Sequence, residues 1–232
     1  MAKLIGRLAS DPRWSTGSEF HIEREESKFP SLEVPRVKYI IPNGLTRGSL
    51  VEITGVKSSG KTSTSLYILA ESISKGETCA CVDLKNQFDP HSLAQSGVGL
   101  SQLSWIRCSG NTEHAIRATD LLLHAGGFGV VLLDLCGASA QELNRIPFSY
   151  WFRFRRAIED TPTILLICGE HPQARSCTRH SFEIKPKQFH WTGEGNCSLL
   201  NALESTAVPR KAAQSKVTSI RPEALFIPTG VV

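Results

Sequence analysis

Residues Gly55-Val56-Lys57-Ser58-Ser59-Gly60-Lys61-Thr62 match G-x-x-x-x-G-K-[ST], the pattern of a loop that wraps a phosphate. Each residue type has a physical reason. Gly55 and Gly60 can adopt dihedrals that other residues avoid, and they put no Cβ between the backbone and the anion. Backbone N–H groups and the positive end of a following helix then converge on the β-phosphate. Lys61 supplies a point charge at the β- and γ-phosphates, and the Thr62 hydroxyl is a candidate Mg2+ ligand. The residues expected to line a nucleoside triphosphate are Gly55, Lys57, Ser58, Ser59, Gly60, Lys61, Thr62 and Ser63. A Mg2+-bound triphosphate also needs an acidic residue at the end of a neighbouring strand. Asp134, after four apolar residues, is the expected one; Asp83 is its competitor, and helix capping is the alternative role for Asp134.

The loop works only if a strand delivers it and a helix leaves it. Residues 50–54 (LVEIT) are a short apolar run, and residues 61–74 place Leu66, Ile68, Leu69 and Ile73 at helical spacing. Further strands are predicted over 78–83 (TCACVD), 129–134 (GVVLLD) and 163–168 (TILLIC), with helices over 112–124 and 150–159. Short apolar strands alternating with helices imply parallel βαβ units, because parallel neighbours need a crossover connection. Residues 178–191 are expected to add one or two strands. The chain therefore divides into an arm over 1–35 outside the core, a nucleotide-binding α/β domain over 36–192, and a loosely ordered basic tail over 193–232.

Composition narrows the class further. The 232 residues are 41% hydrophobic and 21% charged, which suits a folded domain and argues against disorder over most of the chain. Apolar runs fall short of the roughly 18–20 residues needed to cross a bilayer, and Arg7 interrupts the N-terminal apolar patch, so neither membrane insertion nor export is expected. Seven cysteines with no CxxC pair, and no histidine cluster at zinc spacing, read as buried thiols of a reducing cytoplasm. The net charge of +4 is unevenly placed. Residues 1–30 carry 5 basic and 5 acidic groups, residues 31–140 carry 9 and 9, and residues 141–232 carry 12 and 8. An anionic partner is thus expected toward the C-terminal part.

The blocks NGLTRGSLVEITGVKSSGKT, KGETCACVDLKNQFDP, GVGLSQL and FGVVLLDLCG resemble, in order and spacing, the core of the bacterial RecA family over about residues 38–170. Size and the divergent downstream region resemble the ImuA-type mutagenesis accessory proteins within it. The resemblance implies ATP and Mg2+ as ligands, with Lys61 and Thr62 on the phosphates and metal, Asp134 in the metal's shell and Asp89 at the adenine. It also exposes departures. Lys85 stands where the family's catalytic glutamate orients water, and a lysine protonated at neutral pH cannot accept that water's proton. Glu170 replaces the glutamine that senses the γ-phosphate, and Ser92 replaces the aromatic that stacks on adenine. Binding of ATP survives these changes better than hydrolysis does.

The resemblance further implies single-stranded DNA, an error-prone polymerase subunit and other copies of the chain as partners. The family's second DNA loop is shortened here to about residues 171–182. The remaining DNA-binding candidates are Arg145, Arg153, Arg155, Arg156, Arg175 and Arg179, helped by Lys185 and Lys187. On a helix, Trp151, Phe154 and Ile158 share one face and Arg153 and Arg156 another, so the segment also suits an amphipathic helix with solvated arginines. Residues 208–232 combine scattered basic groups with the apolar run 224–228, a pattern for a peptide that folds onto a partner. The reading is a RecA-like α/β ATP-binding protein of DNA repair, accessory to translesion synthesis, with weak or no hydrolysis. The alternative is a DNA-dependent ATPase that forms filaments in recombination.

Overall fold

In the strands, side chains alternate between the two sheet faces, and here both faces are apolar. Val51, Ile53, Cys79, Cys81, Val130, Leu132, Ile164 and Leu166 enter one core; Leu50, Ala80, Val82, Val131, Leu133, Leu165 and Ile167 enter another. Such strands can only lie inside a sheet covered on both sides. The computed structural model, which describes residues 28–38, 41, 43–193 and 199–210, has that form. Strands β1 (Ser49–Thr54), β2 (Cys79–Asp83), β3 (Leu103–Arg107), β4 (Val130–Asp134), β5 (Ile164–Gly169), β6 (His180–Thr192) and β7 (Leu199–Pro209) make one sheet in the order β3-β2-β4-β5-β1-β6-β7. All neighbours in it are parallel except β6 and β7.

Helix α1 (Lys61–Ser74) covers the first face with Ile68, Leu69 and Ile73. The short α2 (Pro90–Ala94) adds Leu93 to the same core. Helix α3 (Thr112–Ala125) covers the second face with Ile116 and Leu123, and the short α4 (Ala140–Leu143) adds Leu143. Helix α5 (Ser149–Ile158) turns Trp151, Phe154 and Ile158 inward, in the spacing expected from the sequence. Trp151 and Phe154 meet edge-to-face with centroids 5.9 Å apart. The mostly parallel sheet flanked by helices is the fold class predicted from the sequence.

Three expectations change. Leu32 and Val34, assigned to an arm outside the core, are buried on the α1 face, where Leu32 pairs its backbone with Leu45 through two 2.8 Å bonds. Two isolated apolar residues among charges carry no periodic signal, and the bridge that recruits them is non-local. Strand β3 adds to the expected strands; as a half-exposed edge strand of mixed polarity it has no continuous apolar run. The third change concerns residues 199–209, taken as tail: they are a strand paired antiparallel to β6 from Thr192↔Leu199 to Phe182↔Pro209. Ser, Thr and Glu interleave its apolar residues, and register shifts beside Pro186 and His190 break any simple pairing rule. Residues 1–27 and 211–232, including the apolar run at 224–228, lie outside the described residues.

Two buried charged groups tie the sheet to its connections. Glu52 in β1, 1% exposed, accepts the N–H groups of Gln173 and Ala174 at 2.6 and 3.0 Å and the Ser181 hydroxyl at 3.3 Å, so it holds the β5–β6 connection. At the opposite end, Arg47 donates to the carbonyls of Gly129 and Pro162 and pairs with Glu77. Six cysteines among the described residues are buried free thiols, in line with the sequence reading, and Cys197 lies outside them. Replacing Phe154 by Ala empties the second core beneath the sheet. We expect Phe154→Ala to lose about 3–5 kcal/mol of stability in urea unfolding, with the m-value unchanged.

Candidate nucleotide site

The phosphate-wrapping loop lies between the end of β1 and the start of α1. Two of its glycines are required by the geometry. Gly60 has φ 92°, in the left-handed region, and a Cβ at Gly55 would lie 2.5 Å from both the Ile184 carbonyl oxygen and Ser59 Oγ. Ser58 is also left-handed, at φ 58°. The loop is braced by Gly55 N–H donating to Gly169 O at 3.2 Å and Ser59 N–H to Val56 O at 3.3 Å. Because Gly60 is the N-cap of α1 and has no side chain, the first-turn N–H groups of that helix have no side-chain cap. This leaves donors and a positive helix end facing the loop. Ser59 Oγ is fully buried and has no hydrogen-bond partner among the described residues. A bound phosphate is the kind of acceptor that would satisfy it.

The hairpin β6–β7 closes over the loop from behind. Ser205 Oγ, on β7, donates to the Ser59 carbonyl at 2.7 Å, and a Cβ at Gly60 would lie 3.2 Å from Ser205 Oγ. This contact spans 146 positions in sequence. Ser205 is therefore a site-supporting residue that the sequence reading missed, and a lone serine in a Ser/Thr-rich stretch carries no local signal of it.

Lys61 is 5% exposed, donates from Nζ to Val56 O at 3.3 Å and pairs with Glu170 Oε1 at 3.2 Å. The other Glu170 oxygen accepts Gly137 N–H at 3.1 Å. Thr62 is exposed at the head of α1. Asp134 ends β4 beside this pair, 4% exposed, and accepts Cys136 N–H at 2.9 Å. Burial pushes its carboxyl upward, while hydrogen bonds from Cys136 and the Lys61 charge pull it back. Its competitor Asp83 is tied up locally: it accepts Gln87 and Phe88 N–H, each at 3.0 Å, and Trp105 Nε1–H at 3.3 Å. For Mg2+, the oxygens of Thr62 and Asp134 are hard donors of a chemically suitable kind.

The remaining sequence-derived positions separate. Asp89 caps α2, accepting the N–H groups of His91 and Ser92, and its carboxyl is held below the usual range chiefly by the Ser92 hydroxyl. Lys85 Nζ pairs with Glu142 Oε1 at 2.6 Å. Glu142 also closes a capping box with Ser139 at the start of α4. Arg153, Arg155 and Arg156 lie exposed on α5, across the sheet from α1, with Arg153 paired to Asp120 and Arg155 3.9 Å from Glu159. Arg145 lines a cleft of about 760 Å3 with Asn111, Glu142 and Tyr150. Arg175, at φ 43°, lies over the Phe148 ring at 6.0 Å, and the Arg179 backbone N–H is held by Leu50 O. The arginines therefore do not share the loop's pocket.

Residues 37–144 match the RecA N-terminal domain model. Over that stretch the chain is RecA-like. A 95-residue stretch is 37% identical to the protein RecA of Rickettsia canadensis (strain McKiel), covering 41% of this chain and 27% of that protein. The same length is 39% identical to RecA of Rhodospirillum rubrum, with 41% and 26% covered. The chain thus spans roughly a quarter of the length of the RecA relatives it matches. The crystal structure of the RadB recombinase superposes with a TM-score of 0.58 at 15% identity, over 79% of this chain and 91% of that one, a likeness of fold. The matched RecA segment contains β1 to β4, the phosphate loop, Lys85 and Asp134, and it stops before α5 and the β6–β7 hairpin.

The Lys85–Glu142 contact has a measurable signature. Lys85, with help from Ser139, holds the Glu142 carboxyl at about 2, from an ordinary 4.5. A depressed carboxylate contributes stability above its unfolded value and loses it as pH falls from 4.5 toward about 2. In carboxyl-detected NMR titration, Glu142 should titrate near the bottom of that window, and Lys85→Met should move it back toward 4.5. The acid-side fall in the urea midpoint should flatten in the same variant.

Proposed function

We propose that this chain is an ATP-binding protein of DNA repair and damage tolerance, an accessory to error-prone translesion synthesis that binds ATP·Mg2+ and turns it over slowly or not at all. The single observation that carries this reading is a contrast between the phosphate loop and Lys85. The phosphate loop is complete, with its glycine geometry, buried lysine and orphaned Ser59 hydroxyl. Yet Lys85, at the position where RecA carries its catalytic glutamate, is committed to Glu142 at 2.6 Å and can neither accept nor orient a water's proton as a carboxylate does. Thr62 and Asp134 would hold Mg2+, which when bound neutralises phosphate charge. Lys61 would bind the β-phosphate side. Nucleotide occupancy then biases the neighbouring connections between two arrangements, because the residues after β4 and β5 meet over Lys61.

Contact with single-stranded DNA is supported by one surface. Phe148 and Phe152 point outward, 38% and 52% exposed, and pack edge-to-face at 5.3 Å, with Arg175 over the Phe148 ring and Arg153 and Arg156 beside Phe152. Outward aromatics beside cations form a stacking surface for bases with charge for phosphates. The short connection 170–179, pinned by Glu52, supports the accessory reading over strand exchange, which in RecA-type proteins uses a long mobile loop there.

Purified protein should bind ATP·Mg2+ in isothermal titration and lose that binding in Lys61→Ala. Its turnover with single-stranded DNA should stay far below that of a working recombinase. Vigorous DNA-stimulated hydrolysis that vanishes in Lys61→Ala would overturn the reading in favour of an active recombinase. For the DNA surface, Phe152→Ala should weaken oligo-dT binding in fluorescence anisotropy by about 1–3 kcal/mol without lowering the melting temperature.

A further inference from the structure

Lys61 is the residue that should meet the β- and γ-phosphates, and it already has an anionic partner. Glu170 Oε1 lies 3.2 Å from Lys61 Nζ, and its second oxygen is fixed by the Gly137 N–H at 3.1 Å. The carboxylate, carried at β5's exit, is therefore oriented by Lys61 from α1 and by a backbone N–H from β4's exit. Its side chain is 18% exposed and that of Lys61 is 6% exposed, so solvent screening of the pair is limited. Asp134 adds a second carboxylate at the same edge.

From this geometry we infer that Glu170 is a specificity-determining residue: its carboxylate holds the γ-phosphate's place on Lys61, so that the site favours a nucleoside diphosphate over the triphosphate. The inference rests on the nucleotide-site reading above. A diphosphate leaves the Lys61–Glu170 contact intact and uses the loop N–H groups for its β-phosphate. A triphosphate brings additional negative charge against Glu170 and must displace it from both Lys61 and Gly137. Like charges forced together in a partly dry site are costly, and the cost falls on the triphosphate alone. Gln is the informative replacement, because it keeps the shape and one oxygen acceptor for Gly137 while removing the charge.

The test is competition and direct titration of ADP·Mg2+ and ATP·Mg2+ against the full chain, its Glu170→Gln variant and Lys61→Ala. Wild type should bind ADP more tightly than ATP. In Glu170→Gln the ATP/ADP affinity ratio should rise by about tenfold or more, carried by tighter ATP binding, with ADP affinity changed by less than about threefold. Circular dichroism melting checks that the variant is folded, and Glu170→Ala gives a second reading of the ratio. An ATP/ADP ratio unchanged in both variants overturns the role of Glu170 while leaving the nucleotide site standing. Failure of wild type and both Glu170 variants to bind either nucleotide overturns the site reading and this inference with it.

Discussion

Parallel pairing at β1, β4 and β5 is the constraint on which the site depends. Parallel strands carry all their C-terminal ends to one edge of the sheet, and the register decides which residues leave together. Thr54 pairs with Gly169 and Asp134 with Cys168, so Gly55, Leu135 and the Gly169–Glu170 step emerge at one level. That juxtaposition lets Lys61, Glu170, Gly137 and Asp134 share a pocket although they are scattered over more than 100 positions of sequence. A one-residue slip would move every side chain into the opposite core, away from the helices that pack it, and would part the residues that leave the sheet together.

Along that edge of the sheet, charge is balanced locally. Lys61 faces Glu170 and Lys85 faces Glu142, each in contact distance and each partly shielded from water. In a site built for rapid phosphoryl chemistry, such groups would be poised toward substrate oxygens or water. Here the cations are matched to carboxylates of the same chain. Both carboxylates also accept backbone N–H groups, Gly137 for Glu170 and Ser139 for Glu142, so the pairs are oriented by the connections after β4. The nucleotide loop and the segment leading to α5 are thereby mechanically joined.

Three arginines of the C-terminal part lie on a different surface. Helix α5 buries Trp151 and Phe154 under the sheet and carries its arginines outward, on the side opposite α1. Two of those arginines, Arg153 and Arg155, lie near acidic neighbours, which reduces the field that a bare charge count suggests. What distinguishes the surface is the pair of outward phenylalanines between them. At the other side, β7 reaches back through Ser205 to the phosphate loop, so a hairpin formed from the C-terminal part supports the N-terminal motif.

The amino-acid sequence by itself determined the phosphate loop, the alternation of buried strands with helices and the inward face of α5. These depend on local spacing and on apolar periodicity, which act between near neighbours. It also showed that Lys85 and Glu170 stand at unusual positions. Tertiary structure alone decided what those residues touch, that Asp83 is tied up by Gln87, Phe88 and Trp105, and that Leu32 and Ser205 belong to the folded core. The physical reason is range. Ion pairs and hydrogen bonds between residues 30 to 146 positions apart are chosen by register and packing, and neither leaves a periodic trace in the chain.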